Sequence, residues 1–333
     1  MLYPFTFHPI FKQRVWGGRE LERLYGKGLP PSAPIGESWE VSDRPGDVSV
    51  IANGPLAGKD LRWLLEQHSS ELLGHSTPPE ARFPLLIKIL DAREKLSLQV
   101  HPPPAKAAQL GGEPKTEMWY IAHAEPGAEL YAGLKQRVTR AGFEQKLRDG
   151  SVADCFHRIP VQAGDAMFLP SGRVHAIGAG LVIFEIQQNS DTTYRVFDWN
   201  RAGLDGKPRP LHLRESLESI DFQDFEPGLV SNEFRPISPG TEIRSQTLVN
   251  DPLFVVQRYR IGPLATFSLQ PHRMQILGVI SGQLELRATH LNVLLPGQFV
   301  LIPACLAQAS ISTERPASFL LVQLRLPDPV QKE

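Results

Sequence analysis

Residues 164–180 read GDAMFLPSGRVHAIGAG, and a related arrangement returns at residues 297–312 as GQFVLIPACLAQASIS. In each copy a glycine is followed by five residues and then a proline, at Gly164 with Pro170 and at Gly297 with Pro303. Five positions after its proline the first copy has His175, where the second has Gln308. A strand-and-turn unit that occurs twice in one chain predicts two copies of one small β-barrel.

Short apolar runs continue this pattern along the chain. Prolines (30) and glycines (27) separate many of them, and runs bounded by such residues are typical of strands. The clearest are PLLIKIL, AMFLP, LVIFEIQ, LFVVQRYRI, QFVLIP and SFLLVQLRL. Helical spacing of leucines predicts a helix in residues 59–74, with Gly74 at its end, and shorter helices in residues 102–112, 140–150 and 211–220. The sequence therefore predicts a mainly β protein with helices inserted in its first two-thirds.

Length and composition limit the remaining possibilities. A chain of 333 residues with 41% hydrophobic residues exceeds one ordinary core, and we expect domains at 1–240 and 241–333. Its 35 basic and 36 acidic residues give no surplus of positive charge for nucleic acid, so a small-molecule partner is expected. Two cysteines, Cys155 and Cys305, indicate reduced thiols, and we expect a cytoplasmic protein without a leader or a membrane span.

The stretch SLQVHPPP, residues 97–104, places polar side chains on one face of a predicted strand. Side chains alternate along a strand, so Ser97, Gln99 and His101 share a face, and the prolines that follow end the strand. An edge strand with this face in water is the simplest explanation. The alternative is that the face lines a metal or substrate pocket.

Two further residues of the first copy complete a possible ligand set. They are Glu117, in PKTEMWYI, and His175, after LPSGRV. Two imidazoles and a carboxylate suit a divalent transition metal, and the amide of Gln99 can supply a further position. Each residue alone is more simply structural, but Gln99, His101, Glu117 and His175 together favour a metal site.

Several motifs resemble known families. Gly164, Pro170, Gly172 and His175 fit the second motif of the cupin fold. The segments SLQVHP, KTEMWY, LPSGRVHA and NSDTTYRVFDW, in this order, resemble the type I mannose-6-phosphate isomerases, in particular the short bacterial members. RVWGG, GESWEVS and GLDGKPRPLH extend the resemblance. It implies two cupin-type β-barrel (jelly-roll) domains, with a helical insertion in the first and a degenerate second copy without metal ligands.

The resemblance also implies a reaction and a cofactor. One zinc ion per chain would be held by Gln99, His101, Glu117 and His175. The enzyme would interconvert mannose 6-phosphate and fructose 6-phosphate by proton transfer between C1 and C2 through an enediolate. Three residues, Arg195, Lys115 and Asp191, would lie at the active site, and either Lys115 or Asp191 is a candidate base. Longer members have a histidine at the position of Pro114, so no proton transfer is assigned there.

Other residues are expected to bind the substrate. Lys207 and Arg209 lie in a loop, RAGLDGKPR, that can cover a site and bind phosphate. Ser97 can donate a hydrogen bond to an oxygen of the substrate, and Trp16 can form a wall against the sugar. We expect Arg195 to face the enediolate rather than the phosphate.

Two other functions suit the same residues. Two histidines and a glutamate also occur in non-haem iron oxygenases, and a cupin can bind a sugar phosphate without turnover. The chain shows no basic patch for nucleic acid and no membrane segment, and we expect a monomer or a homodimer.

Overall fold

The structure of the protein, a computed structural model, describes residues 1–74 and 81–325. It is mainly β with few helices, as predicted. The chain divides into two compact units. The first unit comprises Ile10–Trp39 and Pro84–Val230, and the second comprises Met1–Pro9, Glu40–Phe83 and Ser231–Glu333. The domain boundaries expected from the sequence, 1–240 and 241–333, stay a prediction.

The strands follow one another closely along the described chain. In chain order they are β1 (Ile10–Gly18), β2 (Ile35–Val41), β3 (Asp43–Arg44), β4 (Asp47–Val48), β5 (Leu85–Ala92), β6 (Leu98–Val100), β7 (Glu117–Ala124), β8 (Glu129–Leu134), β9 (Phe156–Pro160), β10 (Ala166–Leu169), β11 (His175–Ile177), β12 (Leu181–Gln188), β13 (Tyr194–Phe197), β14 (Arg235–Pro236), β15 (Ile243–Asn250), β16 (Phe254–Ile261), β17 (Thr266–Ser268), β18 (Gln275–Ser281), β19 (Leu284–Arg287), β20 (Leu291–Leu294), β21 (Phe299–Ile302), β22 (Ser310–Ser312) and β23 (Ala317–Leu324). The six apolar runs singled out in the sequence all form strands.

The helices are short and lie in the first two-thirds of the chain. They are α1 (Glu20–Tyr25), α2 (Leu61–Leu73), α3 (Pro104–Ala107), α4 (Arg140–Asp149) and α5 (Leu213–Ser219), with a 3₁₀ turn at Val152–Cys155. The predicted helix in residues 59–74 is confirmed. Asp60 caps its first turn by accepting a hydrogen bond from the backbone N–H of Trp63, and Gly74 ends it in the left-handed conformation. No helix within the described residues is long and apolar enough to cross a lipid bilayer.

Each unit contains two larger antiparallel sheets. The first unit has a six-stranded sheet ordered β1-β2-β5-β12-β7-β10 and a five-stranded sheet ordered β13-β6-β11-β8-β9. The second unit has a six-stranded sheet ordered β14-β15-β16-β23-β18-β21, a four-stranded sheet ordered β17-β22-β19-β20 and the hairpin β3-β4. The order of chain segments is therefore nearly the same in both units.

The repeated sequence motif occupies equivalent strands in the two units. β10 and β21 each lie at the end of a six-stranded sheet, where Leu169 pairs with Glu117 and Ile302 pairs with Gln275. The glycines that open the motif, Gly164 and Gly297, both have positive φ, 99° and 77°, which only glycine adopts readily. By register, Gln275 takes the position of Glu117.

The turn after the repeated proline differs in length between the units. His175 is the first residue of β11, and the first residue of the equivalent β22 is Ser310. Gln308, the counterpart expected from the sequence, precedes that strand because the second turn is longer. In the second unit a hydroxyl side chain therefore occupies the register position of His175.

The two sheets of the first unit share an apolar core. Leu90, Trp119 and Ile183 come from the six-stranded sheet, and Leu130 and Ile177 come from the five-stranded sheet. All five are at most 3% exposed. Burial of such side chains is the main favourable contribution to folding, so this core holds the two sheets face to face.

Candidate metal centre and pocket

Strand β6 positions the first two predicted ligands. Leu98 and Val100 are fully buried on one face, Gln99 projects from the other, and His101 follows the last residue of the strand. The backbone N–H of Gly172 donates to the carbonyl of His101 at 2.9 Å, which holds this end of β6. Gln99 pairs with His175 of the neighbouring strand β11. The expectation that the prolines end the strand and lead into a helix is confirmed, because α3 begins at Pro104.

The four predicted ligands converge at one place. Nε2 of His101 lies 3.5 Å from Oε2 of Glu117, and Nε2 of His175 lies 3.4 Å from Oε1 of the same carboxylate. The nearest ligand atoms of these three residues all lie within 4.8 Å of one another. The amide nitrogen of Gln99 lies 3.2 Å from Nε2 of His175. His101, Glu117 and His175 are at most 2% exposed.

Backbone carbonyls orient both imidazoles. Nδ1–H of His101 donates to the carbonyl of Thr192 at 2.8 Å, and Nδ1–H of His175 donates to the carbonyl of Arg173 at 2.9 Å. This tautomer directs the lone pair of each Nε2 toward Glu117. Neither Nε2 of His101 nor Oε1 of Glu117 has a hydrogen-bond partner in the described part of the chain. Buried acceptor atoms that face one another without donors fit a divalent cation.

The charge state of the cluster also suits a cation. Burial lowers the pKa of His101 to about 3, with a further contribution from the nearby Lys115, so the imidazole is neutral. Burial lowers the pKa of His175 as well. Although burial alone would raise the pKa of Glu117, the ammonium of Lys115 at 2.9 Å from Oε2 holds it well below its usual range. Two neutral imidazoles and an ionised carboxylate are the forms that ligate metals.

The cluster borders a cavity of about 550 Å³ in the first unit. Most of the residues predicted to act on or bind a substrate line this cavity: Trp16, Ser97, Lys115, Asp191, Arg195 and Arg209. The predicted metal ligand Gln99 lines it as well. Lys207 is exposed in the loop beside it and does not line the cavity. The backbone N–H of Lys207 donates a hydrogen bond to the side chain of Asp205, and Asp205 does line the cavity.

Arg195 and Arg209 have different environments in the cavity. Arg209 donates from Nε and from Nη2 to the carboxylate of Asp198, both at 2.6 Å. Arg195 donates from Nη1 to the carbonyl of Pro210, and its buried Nε has no partner within the described residues. Burial, then the charge of Arg209, lowers the pKa of Arg195. Arg209 is therefore paired with a carboxylate that it shares with Arg201, whereas Arg195 has no ion pair within the described residues.

A chain of charged side chains along the cavity was not predicted from the sequence. Nε of Arg14 donates to Oε1 of Glu37 at 2.6 Å, and Nζ of Lys88 lies 3.6 Å from Oε2 of Glu37 and 3.4 Å from Oε1 of Glu185. The indole of Trp39 donates to Glu37 at 2.6 Å. Despite burial, Lys88 and Arg14 lower the pKa of Glu37 to about 2. Glu37 is therefore an ionised carboxylate, and it joins the two cations.

The pKa of Glu185 is shifted in the opposite direction from that of Glu37. Its Oε2 accepts a hydrogen bond from the indole of Trp119 at 3.0 Å, yet burial raises its pKa.

The sequence does contain a signal for these charged side chains along the cavity, because Lys88 interrupts an apolar run that forms a buried strand. A buried lysine needs an ionic partner, so its presence in PLLIKIL indicates a polar site.

Fold and site together define a mainly β protein with a buried cluster of two histidines and a glutamate beside a charged cavity. Comparison with known proteins identifies its family. The family model for the phosphomannose isomerase type I catalytic domain matches residues 5–115. The chain is 37% identical over 285 residues, 85% of its length and 87% of the relative's, to a probable mannose-6-phosphate isomerase, GmuF, of Bacillus subtilis.

Two further relatives agree. A mannose-6-phosphate isomerase of Streptococcus mutans is 36% identical over 85% of this chain and 86% of its own. The crystal structure of the mannose 6-phosphate isomerase from Bacillus subtilis superposes with a TM-score of 0.87 at 30% identity, covering 97% of this chain and all of the other. The chain belongs to the type I phosphomannose isomerase family, and it is an enzyme of that family. The resemblance found in the sequence is confirmed.

Proposed function

We propose that this chain is a zinc-dependent isomerase that interconverts mannose 6-phosphate and fructose 6-phosphate by proton transfer between C1 and C2. One observation carries the proposal. His101, Glu117 and His175 present their ligand atoms to one another, and Gln99 beside them and the neighbouring Lys115 line a cavity large enough for a sugar phosphate.

The metal would be held by Gln99, His101, Glu117 and His175. The donors are two nitrogens, a carboxylate and an amide, which suit zinc. When bound, such an ion supplies a Lewis acid that stabilises negative charge on the oxygens of the substrate. The unpartnered Nε2 of His101 and Oε1 of Glu117 support this assignment, because each needs a partner that the described residues do not provide.

Three residues would act on the opened sugar. Removal of the proton beside the carbonyl leaves an enediolate, and the guanidinium of Arg195 is a permanent cation that can bind its oxygens. Lys115 and Asp191 are the candidates for the base, since both line the cavity. Lys115 is paired with Glu117 at 2.9 Å, which favours a role in holding charge at the metal cluster and leaves Asp191 as the candidate base.

The remaining predicted residues would bind the rest of the substrate. Ser97 is buried, with Oγ 3.4 Å from the amide oxygen of Gln99, and can donate to a substrate hydroxyl instead. Trp16 can form an apolar wall of the sugar site. Arg209 is assigned to the phosphate end, with Lys207 on the same loop.

A finer view of the fold belongs to the same proposal. We assign each unit a cupin-type jelly-roll barrel, of which only the first holds a metal. The shared order of chain segments in the two units supports this, as do Gln275 and Ser310 at the register positions of Glu117 and His175. The domain limits 1–240 and 241–333, a cytoplasmic location, and a monomeric or homodimeric state stay predictions.

Conversion of mannose 6-phosphate in deuterated water tests the proposal. The purified, metal-loaded protein should produce fructose 6-phosphate, and mass spectrometry should find solvent deuterium on the carbon that receives the proton. Metal analysis of protein purified without added metal distinguishes the other candidates. Iron with oxygen uptake would favour an oxygenase, and binding of the sugar phosphate without product would favour a binding protein. Either result would contradict the proposal.

A further inference from the structure

Arg14, on β1, is the most accessible of the connected charged side chains along the cavity. Its side chain is 32% exposed, whereas Lys88 and Lys115, which also line the cavity, are each 5% exposed. Arg209 is 22% exposed and is bound by Asp198 through two hydrogen bonds. Of these four cations, Arg14 is the one that a ligand in the cavity can reach most easily.

Neighbouring residues fix the position of Arg14. Its Nε donates to Glu37 at 2.6 Å, and Glu37 is in turn bound by the indole of Trp39 at 2.6 Å. Gly36 lies beneath the side chain. A methyl group on Gly36 would come within 2.6 Å of Cβ of Arg14 and of Cζ3 of Trp16, so only glycine lets both side chains pack here. The guanidinium is therefore oriented before any ligand binds.

One edge of this guanidinium remains available. Nε is used by Glu37, and Nη1 donates to the carbonyl of Gln13 at 3.2 Å. Nη2 donates to no group in the described part of the chain. Arginine binds phosphate through such N–H groups, with hydrogen bonds strengthened by charge.

Repulsion among the arginines of the cavity indicates that the cavity is suited to an anionic ligand. After burial itself, the positive charge of Arg209 lowers the pKa of Arg195; Asp198 partly offsets this effect, and Arg201 and Arg14 add to it. Arg14 and Arg195 both line the cavity and come from different strands, β1 and β13. A phosphate monoester dianion bound by Arg14 would offset this excess of positive charge in the cavity.

We propose that Arg14, held by Glu37, is a phosphate-binding residue of this cavity, at the opposite end of the substrate from the enediolate oxygens assigned to Arg195. The inference rests on the proposed function, because it assigns the phosphate of the same substrate. It adds a strand residue to the loop residues Arg209 and Lys207. It also gives Glu37 a positioning role, because Glu37 orients Arg14 without contacting the ligand.

Inhibition by inorganic phosphate tests this assignment in the metal-loaded enzyme. Arg14→Gln should raise the inhibition constant for phosphate and the KM for mannose 6-phosphate about ten- to a hundredfold, with kcat changed only a few-fold. Arg14→Lys keeps a charge opposite Glu37 but loses the planar fork, and it should give a smaller increase. Arg158→Gln is the matched control. Arg158 is ion-paired with Glu129 on the surface and does not line the cavity, so both constants should stay at the wild-type value.

The outcomes separate the two proposals. If the wild-type enzyme does not isomerise mannose 6-phosphate, the proposed function fails, and calorimetric titration with inorganic phosphate still tests Arg14. Melting temperature and metal content show which variants fold. If Arg14→Gln does not fold, Arg14→Lys decides. Folded Arg14 variants that bind phosphate as tightly as the wild type would overturn the assignment.

Discussion

Nε2 of His101 lies 3.5 Å from Oε2 of Glu117, and neither side chain is more than 2% exposed. The two residues come from different sheets, since His101 follows β6 and Glu117 begins β7. Oε2 of Glu117 is paired with Lys115, but the buried Nε2 of His101 has no hydrogen-bond donor among the described residues, which is unfavourable. A cation bound by both would remove this cost, and the predictions about the site follow from that relationship.

His101→Ala should abolish metal retention and isomerase activity while the protein stays folded. The imidazole supplies one ligand atom, and its removal leaves Glu117 and His175 without a complete set. Metal content after gel filtration, activity and circular dichroism measure the three effects. His123→Ala is a suitable control, since His123 lies on the same strand as Glu117 but outside the cluster. A zinc-replete and active His101→Ala protein would refute the ligand assignment.

Asp191→Asn should retain metal and lower kcat by about 10² to 10⁴, the usual contribution of a general base. Lys115→Met should instead weaken metal retention, because without the ammonium 2.9 Å away burial raises the pKa of Glu117, and a protonated carboxyl is a poor metal ligand. Single-turnover rates and metal analysis of the two variants distinguish these roles. Deuterium incorporation at the wild-type rate by Asp191→Asn would place the base elsewhere.

Asp91 should make the stability of the first unit depend on pH. Burial raises its pKa to about 6 in the folded protein, even though it accepts a hydrogen bond from the backbone N–H of Glu20. A carboxyl whose pKa is higher in the folded state than in the unfolded state stabilises the fold when protonated, and this contribution is lost as the pH rises through about 6.

The variant Asp91→Asn isolates this effect. Asparagine cannot ionise. The free energy of unfolding of the variant, relative to that of the wild type, should therefore increase as the pH is raised from below to above about 6. Urea denaturation of both proteins across that range measures the difference. A difference that does not change with pH would show that Asp91 does not titrate there.

Leu277→Ala should destabilise the second unit without altering the site. Leu277 lies on β18, is fully buried, and packs in an apolar cluster with Val300, Phe319 and Leu321. Truncation of a buried leucine costs about 2 to 5 kcal/mol. Thermal unfolding should report the loss, with metal content and the KM for mannose 6-phosphate unchanged below the transition. An altered KM in the folded variant would contradict the assignment of substrate binding to the first unit alone.

Most of the regular structure was predictable because its sequence signals are local. Apolar runs between glycines and prolines became strands, and the capped leucine pattern of α2 became a helix. Helix α1 was not predicted, since its six residues, ELERLY, are too short to show helical periodicity. The replacement of His175 by Ser310 was also missed, because a longer turn shifts the register and spacing alone cannot reveal it.

The site was predictable where it depends on ligand types and not where it depends on tertiary contacts. Two histidines, a glutamate and a glutamine in strand-and-turn motifs were recognisable as a possible metal site. Arg14 and Lys88 were not, because their importance comes from Glu37 and Glu185, which the sheets bring beside them. Lys207 is part of the loop at the cavity, yet its side chain is exposed and does not line it.

Activity followed through removal and return of the metal tests the central claim most directly. The purified protein is assayed for conversion of mannose 6-phosphate to fructose 6-phosphate as prepared, after chelation, and after zinc is restored. We predict activity that disappears on chelation and returns with zinc in proportion to one bound ion per chain. Full activity in metal-free protein, or none after zinc is restored to folded protein, would contradict the claim.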